Sequence, residues 1–208
     1  MNCRLTGIFI FTLLLWVAVP CRTAAASEAG ILLDDRFTAL SKDWFWGLGT
    51  WTAHDGVLRG FESGPRRHGP VKMHKLALTD AVAEFEFRLE GRATFAGIIF
   101  NGSQERGHLF HFYVTKDQIR LTAHPKKGEA VDLLKEAQAF SPGVWHQVRV
   151  QFKGTQLTAT VDGKSVTATH ACIAEAKQSF GLGGDSGGPE GEKAGALEFR
   201  KLQIRSIP

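Results

Sequence analysis

Apolar and polar residues alternate with a period of two along most of this chain, and this alternation constrains its fold more than any other feature. In residues 83–90 (AEFEFRLE), the phenylalanines and the leucine occupy every second position, with charged residues between them. Successive side chains of a β-strand point to opposite faces, so this pattern predicts a half-buried strand. Similar apolar or alternating segments occur at residues 94–101, 108–115, 118–124, 145–152, 156–161 and 196–207.

Turn signals separate these segments. Residues 153–155 (KGT) and 162–163 (DG) predict tight hairpin connections. We expect a bulge near residues 200–201 in the closing strand, and we expect residues 31–37 (ILLDDRF) to pair with that strand and cover its edge. Only residues 132–139 (DLLKEAQA) suggest a helix. The pattern therefore predicts one all-β domain, an antiparallel sandwich or barrel.

The first residues have the features of a cleaved signal peptide. Arg4 precedes an apolar run at residues 8–19, and three alanines at 24–26 form a small-residue cleavage pattern. We therefore predict a signal peptide over residues 1–26 and a domain over residues 27–208. The apolar run is too short to span a bilayer comfortably. We expect export to the periplasm or the extracellular space, with no membrane contact after cleavage.

Charge and cysteine content narrow the function classes further. Losing Arg4 and Arg22 with the leader lowers the net charge from +4 to +2, and the remaining basic residues are scattered. The basic residues therefore form no clustered positive patch of the kind that binds nucleic acid. Among the three cysteines only Cys172 lies beyond the leader, so the domain has no internal disulfide and we expect a buried thiol there.

Residues 184–189 (GDSGGP) spell the segment that holds the nucleophile of trypsin-like serine proteases. Such an enzyme also needs a histidine, a carboxylate and a long chain after the serine to build its specificity pocket. Only a short tail follows Ser186, and residues 183–195 are rich in glycine. We interpret these residues as a loop between the last two strands and Ser186 as a loop serine, so we do not expect a protease.

With the strands laid out, the chain resembles the concanavalin A-like jelly-roll superfamily, which includes laminin-G-like domains. Within it, the chain is most similar to the 3-keto-disaccharide hydrolase domains. The segments that carry the resemblance are residues 51–60 (WTAHDGVLRG), 83–101, 142–166 and 195–207 (GALEFRKLQIRSI). The resemblance implies an antiparallel jelly-roll β-sandwich with a concave sheet face that can hold a sugar.

The alternation then selects the outward-facing side chains of that sheet. We predict that Glu86 and His111 form a catalytic acid/base pair. The predicted ligand-binding residues are Arg88, Asn101, Tyr113, Arg120 and His124. A plain solvated face, with Glu86 and Arg88 in cross-strand ion pairs, is the alternative.

No cofactor and no metal site are predicted. His108 and His111 are three residues apart, which places them on opposite faces of a regular strand. The expected partner is a carbohydrate or a glycoside. Three functions stay open at this stage: a glycan-binding module, a hydrolase or lyase acting on a 3-keto disaccharide, and a non-catalytic protein-interaction domain.

Overall fold

Two antiparallel sheets lie face to face in the computed structural model, which describes residues 30–65 and 68–207. The predicted signal peptide lies outside these residues. The strands are β1 (Ile31–Asp35), β2 (Trp46–Leu48), β3 (Thr50–His54), β4 (Val57–Phe61), β5 (Val71–Leu78), β6 (Ala81–Gly91), β7 (Phe95–Asn101), β8 (His108–Thr115), β9 (Gln118–Ala123), β10 (Val131–Ala137), β11 (His146–Lys153), β12 (Gln156–Val161), β13 (Lys164–Thr169), β14 (Lys177–Asp185) and β15 (Gly195–Ser206). A four-residue helix, α1 (Ala171–Ala174), and a 3₁₀ turn (Gly191–Lys193) complete the described elements.

The chain crosses between the two sheets several times in a jelly-roll arrangement, with β7 to β10 consecutive in one sheet and β11 to β13 consecutive in the other. Sheet A has the spatial order β13-β12-β11-β6-β15-β4-β3, with β1 also paired to β15, and sheet B has the order β10-β9-β8-β7-β14-β5-β2. The all-β antiparallel sandwich predicted from the sequence is confirmed. In the described residues, no helix is long and apolar enough to cross a membrane.

Phenylalanine rings from both sheets meet in the core. Phe100 of β7 lies with its ring centroid 4.8 Å from that of Phe110 of β8 and 4.9 Å from that of Phe152 of β11. All three side chains are fully buried. Burial of each such ring stabilises the fold by roughly 1.5–3 kcal/mol relative to exposure, so the contact between rings ties sheet B to sheet A.

Several local predictions are confirmed. Strand β1 pairs with β15. The register of β15 shifts between Arg200 and Gln203, and Lys201 has a φ of 55°, which marks the predicted bulge. Asp162 and Gly163 have φ angles of 47° and 85°, as a tight hairpin turn with two left-handed residues requires.

The helix predicted over residues 132–139 is wrong, because this segment forms the edge strand β10. Its register against β9 shifts between Asp132 and Leu134. This register shift places the adjacent Leu133 and Leu134 in half-buried positions. Apolar and polar residues therefore do not alternate strictly in this strand. Asp132 accepts hydrogen bonds from the Arg120 guanidinium (3.0 Å) and the Thr122 hydroxyl (3.0 Å) across the strand pair.

The glycine-rich motif begins as a strand, so the prediction of a loop over residues 183–195 is wrong for its first part. Strand β14 continues through Asp185, between β7 and β5. A Cβ atom on Gly184 would lie 2.0 Å from the carbonyl oxygen of Phe95. Ser186 is fully buried and its Oγ accepts a hydrogen bond from the Glu62 backbone N–H at 2.8 Å. In this structure Ser186 satisfies a buried backbone donor and is closed to a substrate.

Candidate functional site

The predicted site residues divide between the two sheets. Glu86 and Arg88 lie on β6, which pairs with β11 and β15 in sheet A. The remaining five lie on sheet B or directly after one of its strands: Asn101, His111, Tyr113, Arg120 and His124. The expectation of one shared groove is therefore wrong, because alternation fixes the face of a residue but not the sheet that its strand joins. Glu86 and His111 cannot act as one acid/base pair.

On sheet A, the predicted residues are occupied by ion pairs. The carboxylate of Glu86 accepts hydrogen bonds from Arg200 Nε at 2.5 Å and Lys201 Nζ at 2.7 Å. Burial alone would raise the pKa of Glu86, but Lys201 and Arg200 together lower it. Arg88 pairs with Glu198 on the neighbouring strand. The cross-strand ion pairs of the alternative interpretation are thus present on this face. Glu86 and Glu198 are nearly buried, at 8% and 5% exposure, and Glu86 lines a hollow of about 490 Å³.

On the outer face of sheet B lies a cavity of about 350 Å³, which we call the histidine cleft. Its volume falls in the range of small-molecule sites. Apolar side chains of Trp46, Phe95 and Ile99 form part of its wall. Imidazole rings supply its polar groups, and they belong to His68, His108, His111 and His124.

Glycines of β14 form the floor of the histidine cleft. Gly181 and Gly183 lie opposite Ile99 and Gly97 of β7, and they carry no side chain that would fill the space. A Cβ atom on Gly181 would lie 2.5 Å from Met73 Sδ. The glycines of β14 that precede the protease-like motif thus leave room for neighbouring side chains such as Met73 and for close strand packing.

A β-bulge brings two histidines of β8 to the same face. Phe100 pairs with Phe110, whereas Asn101 pairs with His108, so β8 carries one extra residue at this point. Leu109 and Phe110 are both fully buried. His108 and His111 therefore both line the cleft, and the prediction that they face opposite ways is wrong. Two adjacent large apolar residues between the histidines were the sequence signal for this bulge.

Burial favours the neutral form of three cleft imidazoles, those of His108, His111 and His124. Burial lowers the pKa of His111 to about 3, with further contributions from His124 and His108. Burial also lowers the pKa values of His108 and His124, whose ring centroids are 5.5 Å apart. A neutral imidazole offers one donor and one acceptor, which suits the hydroxyl groups of an uncharged ligand.

Hydrogen bonding indicates which ring nitrogens are available. His108 Nδ1 lies 2.7 Å from Asn101 Oδ1. Because an amide oxygen only accepts, Nδ1 carries the proton and Nε2 keeps its lone pair free. His124 Nε2 is buried and has no hydrogen-bond partner. The free Nε2 of His108 can therefore bind a ligand group, and the buried Nε2 of His124 still lacks the partner that a buried polar atom normally has.

Carboxylates take no part in the wall of the histidine cleft, as far as residues 30–65 and 68–207 are concerned. In the same described part of the chain, no group of three or more His, Cys, Asp or Glu side chains is arranged to hold a metal ion.

Tyr113 and Arg120, both predicted as ligand-binding, lie beside the cleft. The Tyr113 ring contacts the His111 ring at 4.7 Å and the Phe95 ring at 5.3 Å. The Arg120 guanidinium lies 5.2 Å from the centre of the Tyr113 ring and pairs with Asp132. These two side chains stiffen the wall that carries His111 and Phe95.

A second hollow of about 770 Å³ adjoins the histidine cleft and shares Trp46 and His108 with it. Asn101 lines this hollow, together with Phe45 and Gln178. The side chains of Phe45 and Trp46 are large, apolar and about half exposed, at 58% and 47%. Phe45 and His108 were not predicted from the sequence to lie at this site.

Comparison with known proteins places this arrangement in a family. A family model described as the 3-keto-alpha-glucoside-1,2-lyase-like domain matches residues 33–205. No curated protein matches the chain.

Solved structures share the fold at low sequence identity. A carbohydrate binding module, CBM66 from Bacillus subtilis, is 12% identical with a TM-score of 0.60, over 88% of this chain and 98% of the other. The beta-glucanase of Bacillus licheniformis is 8% identical with a TM-score of 0.63, over 88% and 100%. The transglycosylase Crh5 in its apo form is 14% identical with a TM-score of 0.60, over 88% and 85%. At these identities the likeness establishes the architecture.

Proposed function

This chain belongs to the 3-keto-alpha-glucoside-1,2-lyase-like domain family, and we propose that it is a jelly-roll domain that holds a glycan in the histidine cleft on sheet B. The observation that carries this proposal is a cleft that combines aromatic rings with neutral imidazoles on one rigid sheet face. Aromatic and apolar walls with a few placed polar groups are typical of small-molecule sites. Uncharged hydroxyls of a sugar match the donor and acceptor nitrogens of neutral histidines.

The fold comparisons support the same class of ligand. Two of the similar structures are a carbohydrate binding module and a beta-glucanase, by their descriptions. The proposed partner is therefore a carbohydrate or glycoside. The leader-like residues 1–26 further support export to the periplasm or the extracellular space, which N-terminal sequencing of the secreted protein would test.

A glycan array with the purified protein, followed by calorimetric titration of the glycans that bind, tests the proposal. Trp46→Ala and His124→Gln alter the cleft, whereas Glu86→Gln on sheet A is the matched control. We expect each cleft variant to weaken binding by about tenfold or more, as is usual for an aromatic or buried polar contact residue. The control variant keeps the wild-type affinity.

Two outcomes contradict this function. If Glu86→Gln abolishes binding while the cleft variants bind normally, the glycan sits on sheet A. If no glycan binds at all, the protein-interaction domain left open by the sequence becomes the better account.

A second candidate function, elimination on a 3-keto-α-glucoside, is favoured by the chemistry of the cleft lining. Ordinary glycoside hydrolysis uses two carboxylates, and the described lining of the cleft holds imidazoles instead. A ketone at C3 acidifies the C2–H bond, so a neutral imidazole with a free lone pair, such as His108 Nε2, can accept that proton. The C–H electron pair then forms the C1=C2 bond, and the C1–O bond breaks with its pair, leaving an oxygen that takes up a proton.

The lyase candidate is tested by incubating the protein with methyl 3-keto-α-glucoside. The product of elimination conjugates the new double bond with the ketone, so its formation is followed by ultraviolet absorption. We expect His108→Gln to lower the rate by about 10²-fold or more, the usual effect of removing a general base, while Glu86→Gln leaves the rate unchanged. Binding without absorbance change in the wild type would leave glycan binding as the function and exclude this elimination.

A further inference from the structure

At one end of the histidine cleft, a single guanidinium is bonded to the backbone of two cleft histidines. Arg106 precedes β8, and its side chain is 11% exposed. Its Nη1 donates to the carbonyl oxygen of His108 at 2.8 Å, and its Nη2 donates to that of His124 at 2.9 Å. These bonds connect two histidines that are 16 residues apart in the sequence.

Glu175 fixes the guanidinium in turn. Arg106 Nε lies 2.6 Å from Glu175 Oε2 and Nη2 lies 2.8 Å from Oε1, which is a bidentate pair. Glu175 is the residue that ends α1, and Cys172 of that helix contributes a sulfur contact at 3.4 Å from Nη2. Arg106 lowers the pKa of Glu175, and Glu175 raises that of Arg106, so both are charged. Helix α1 thus anchors the arginine.

Both histidines need such support because the strand ladder is irregular where they lie. His108 stands at the bulge of β8, where the register shifts. His124 follows the end of β9, and its backbone N–H donates to the carbonyl of Leu109 at 2.8 Å. Arg106 bonds to the carbonyl groups of both residues at these irregular positions, and the Cys172 thiol also lies 3.5 Å from the carbonyl oxygen of His124.

From this geometry we propose that Arg106, anchored by Glu175, is a positioning residue of the histidine cleft: it fixes the backbone of His108 and His124 and so determines where both imidazoles meet a bound sugar. The effect on a sugar rests on the proposed function, whereas the effect on the histidines does not depend on it.

The charges of Arg106 and Glu175 should also affect the pKa of the His124 imidazole. The charged and titratable groups around the His124 ring and its anchor are Arg106, Glu175, Cys172, His108, His111 and Lys126. Burial is the largest cause of the lowered pKa of His124, and His108 and the Arg106 charge lower it further. Removing the arginine charge should raise the pKa of His124. Removing the Glu175 charge leaves the arginine uncompensated and should lower it further.

NMR titration of the imidazole resonances in the ligand-free protein tests this prediction. Arg106→Met and Glu175→Gln are expected to shift the His124 pKa in opposite directions, up in the first and down in the second. Arg92→Met is the matched control, since Arg92 is an exposed arginine paired with Glu190 at 2.7 Å. If the substitutions only loosened the cleft, the pKa of His124 would rise in both variants. A rise in both variants, or an unchanged His124 pKa in both, overturns the proposal. If Arg106→Met does not fold, the sign of the Glu175→Gln shift alone decides.

The binding consequence is measured with methyl 3-keto-α-glucoside. Arg106→Lys keeps the charge but cannot make the bidentate pair together with two carbonyl bonds. We expect about tenfold weaker binding with an unchanged His124 pKa, because charge-assisted hydrogen bonds are lost while the charge remains. Wild-type affinity in Arg106→Lys overturns the positioning role toward a sugar. If the wild type binds no sugar, the proposed function fails, and the opposite pKa shifts still test the Arg106 anchor by themselves.

Discussion

At the scale of single residues, the histidine cleft depends on imidazoles that stay neutral. Burial lowers the pKa of His111 from its usual 6.5 to about 3. Above pH 6.5 the histidine is neutral in both the folded and the unfolded chain, so the fold has its full stability there. As the pH falls from 6.5 toward 3, the unfolded chain takes up a proton that the folded chain refuses, and stability is lost.

The lowered pKa of His111 predicts how the stability of the fold changes in acid. His111→Phe should make the free energy of unfolding fall less steeply than in the wild type as the pH drops from 6.5 to about 4, since one proton contributes at most about 1.4 kcal/mol per pH unit. Urea unfolding at several pH values measures both slopes. Equal slopes in the two proteins would show that His111 titrates normally in the folded state.

Ser186 gives a second prediction at this scale. Ser186→Ala leaves the buried N–H of Glu62 without its acceptor, so we expect a loss of about 1–3 kcal/mol of stability with glycan affinity unchanged. Ser165→Ala, on the exposed side of β13, is the control and should change stability little. A Ser186→Ala protein that is fully stable but inactive toward glycans would instead assign the serine a functional role.

At the scale of elements, strand β14 shows how one glycine-rich segment determines local packing. A Cβ atom on Gly184 would lie 2.0 Å from the Phe95 carbonyl oxygen, so β7 and β14 can approach only if this residue has no side chain. We expect Gly184→Ala to cost about 1–3 kcal/mol, as overpacking usually does. Gly30→Ala, whose Cβ would meet no atom closer than 3.6 Å, is the control for thermal unfolding. Equal melting temperatures would contradict the packing role.

Strand irregularities explain which parts of the site could be predicted. The faces of Tyr113 and Arg120 follow from alternation in β8 and β9, and the structure places both beside the cleft. His108 was assigned to the wrong face because the bulge in β8 breaks the alternation between Leu109 and Phe110, which are both buried. A bulge is set by pairing with a neighbouring strand, so a single strand pattern gives only weak evidence of it.

At the scale of the whole molecule, the assignment of strands to sheets decides what the site contains. The strand patterns of β6 and β8 are similar, yet one lies in sheet A and the other in sheet B. Sheet membership depends on contacts between residues far apart in the sequence, which periodicity does not encode. For this reason the fold class was predictable from the sequence, whereas the partnership of Glu86 with His111 was not.

The interior between the sheets yields a whole-molecule prediction. Lys177 is 1% exposed, its Nζ donates to the Thr79 carbonyl at 2.9 Å, and it lies 4.4 Å from the centre of the Phe152 ring. Burial lowers its pKa from 10.5 to about 8. Between these values the folded chain releases the proton before the unfolded chain does, so stability should rise as the pH rises from 8 toward 10.5.

Urea unfolding across this alkaline range tests the role of Lys177. The rise in unfolding free energy should reach about 3 kcal/mol in the part due to this lysine, and it should be missing in Lys177→Met. Lys127→Met removes an exposed lysine and should retain the rise. An identical alkaline profile in wild type and Lys177→Met would mean that the buried amine keeps its ordinary proton affinity.

The account as a whole depends on which outer face binds sugar, and two tryptophans report on the two faces. Trp46 lines the histidine cleft on sheet B, whereas Trp145 lies between Arg88 and Arg200 on sheet A, 4.7 and 4.1 Å from the two guanidinium carbons. The direct measurement is a titration with methyl 3-keto-α-glucoside, followed through the indole N–H resonances of both residues. We predict a saturable shift of the Trp46 signal and a constant Trp145 signal. A shift of Trp145 with Trp46 unchanged would contradict the account.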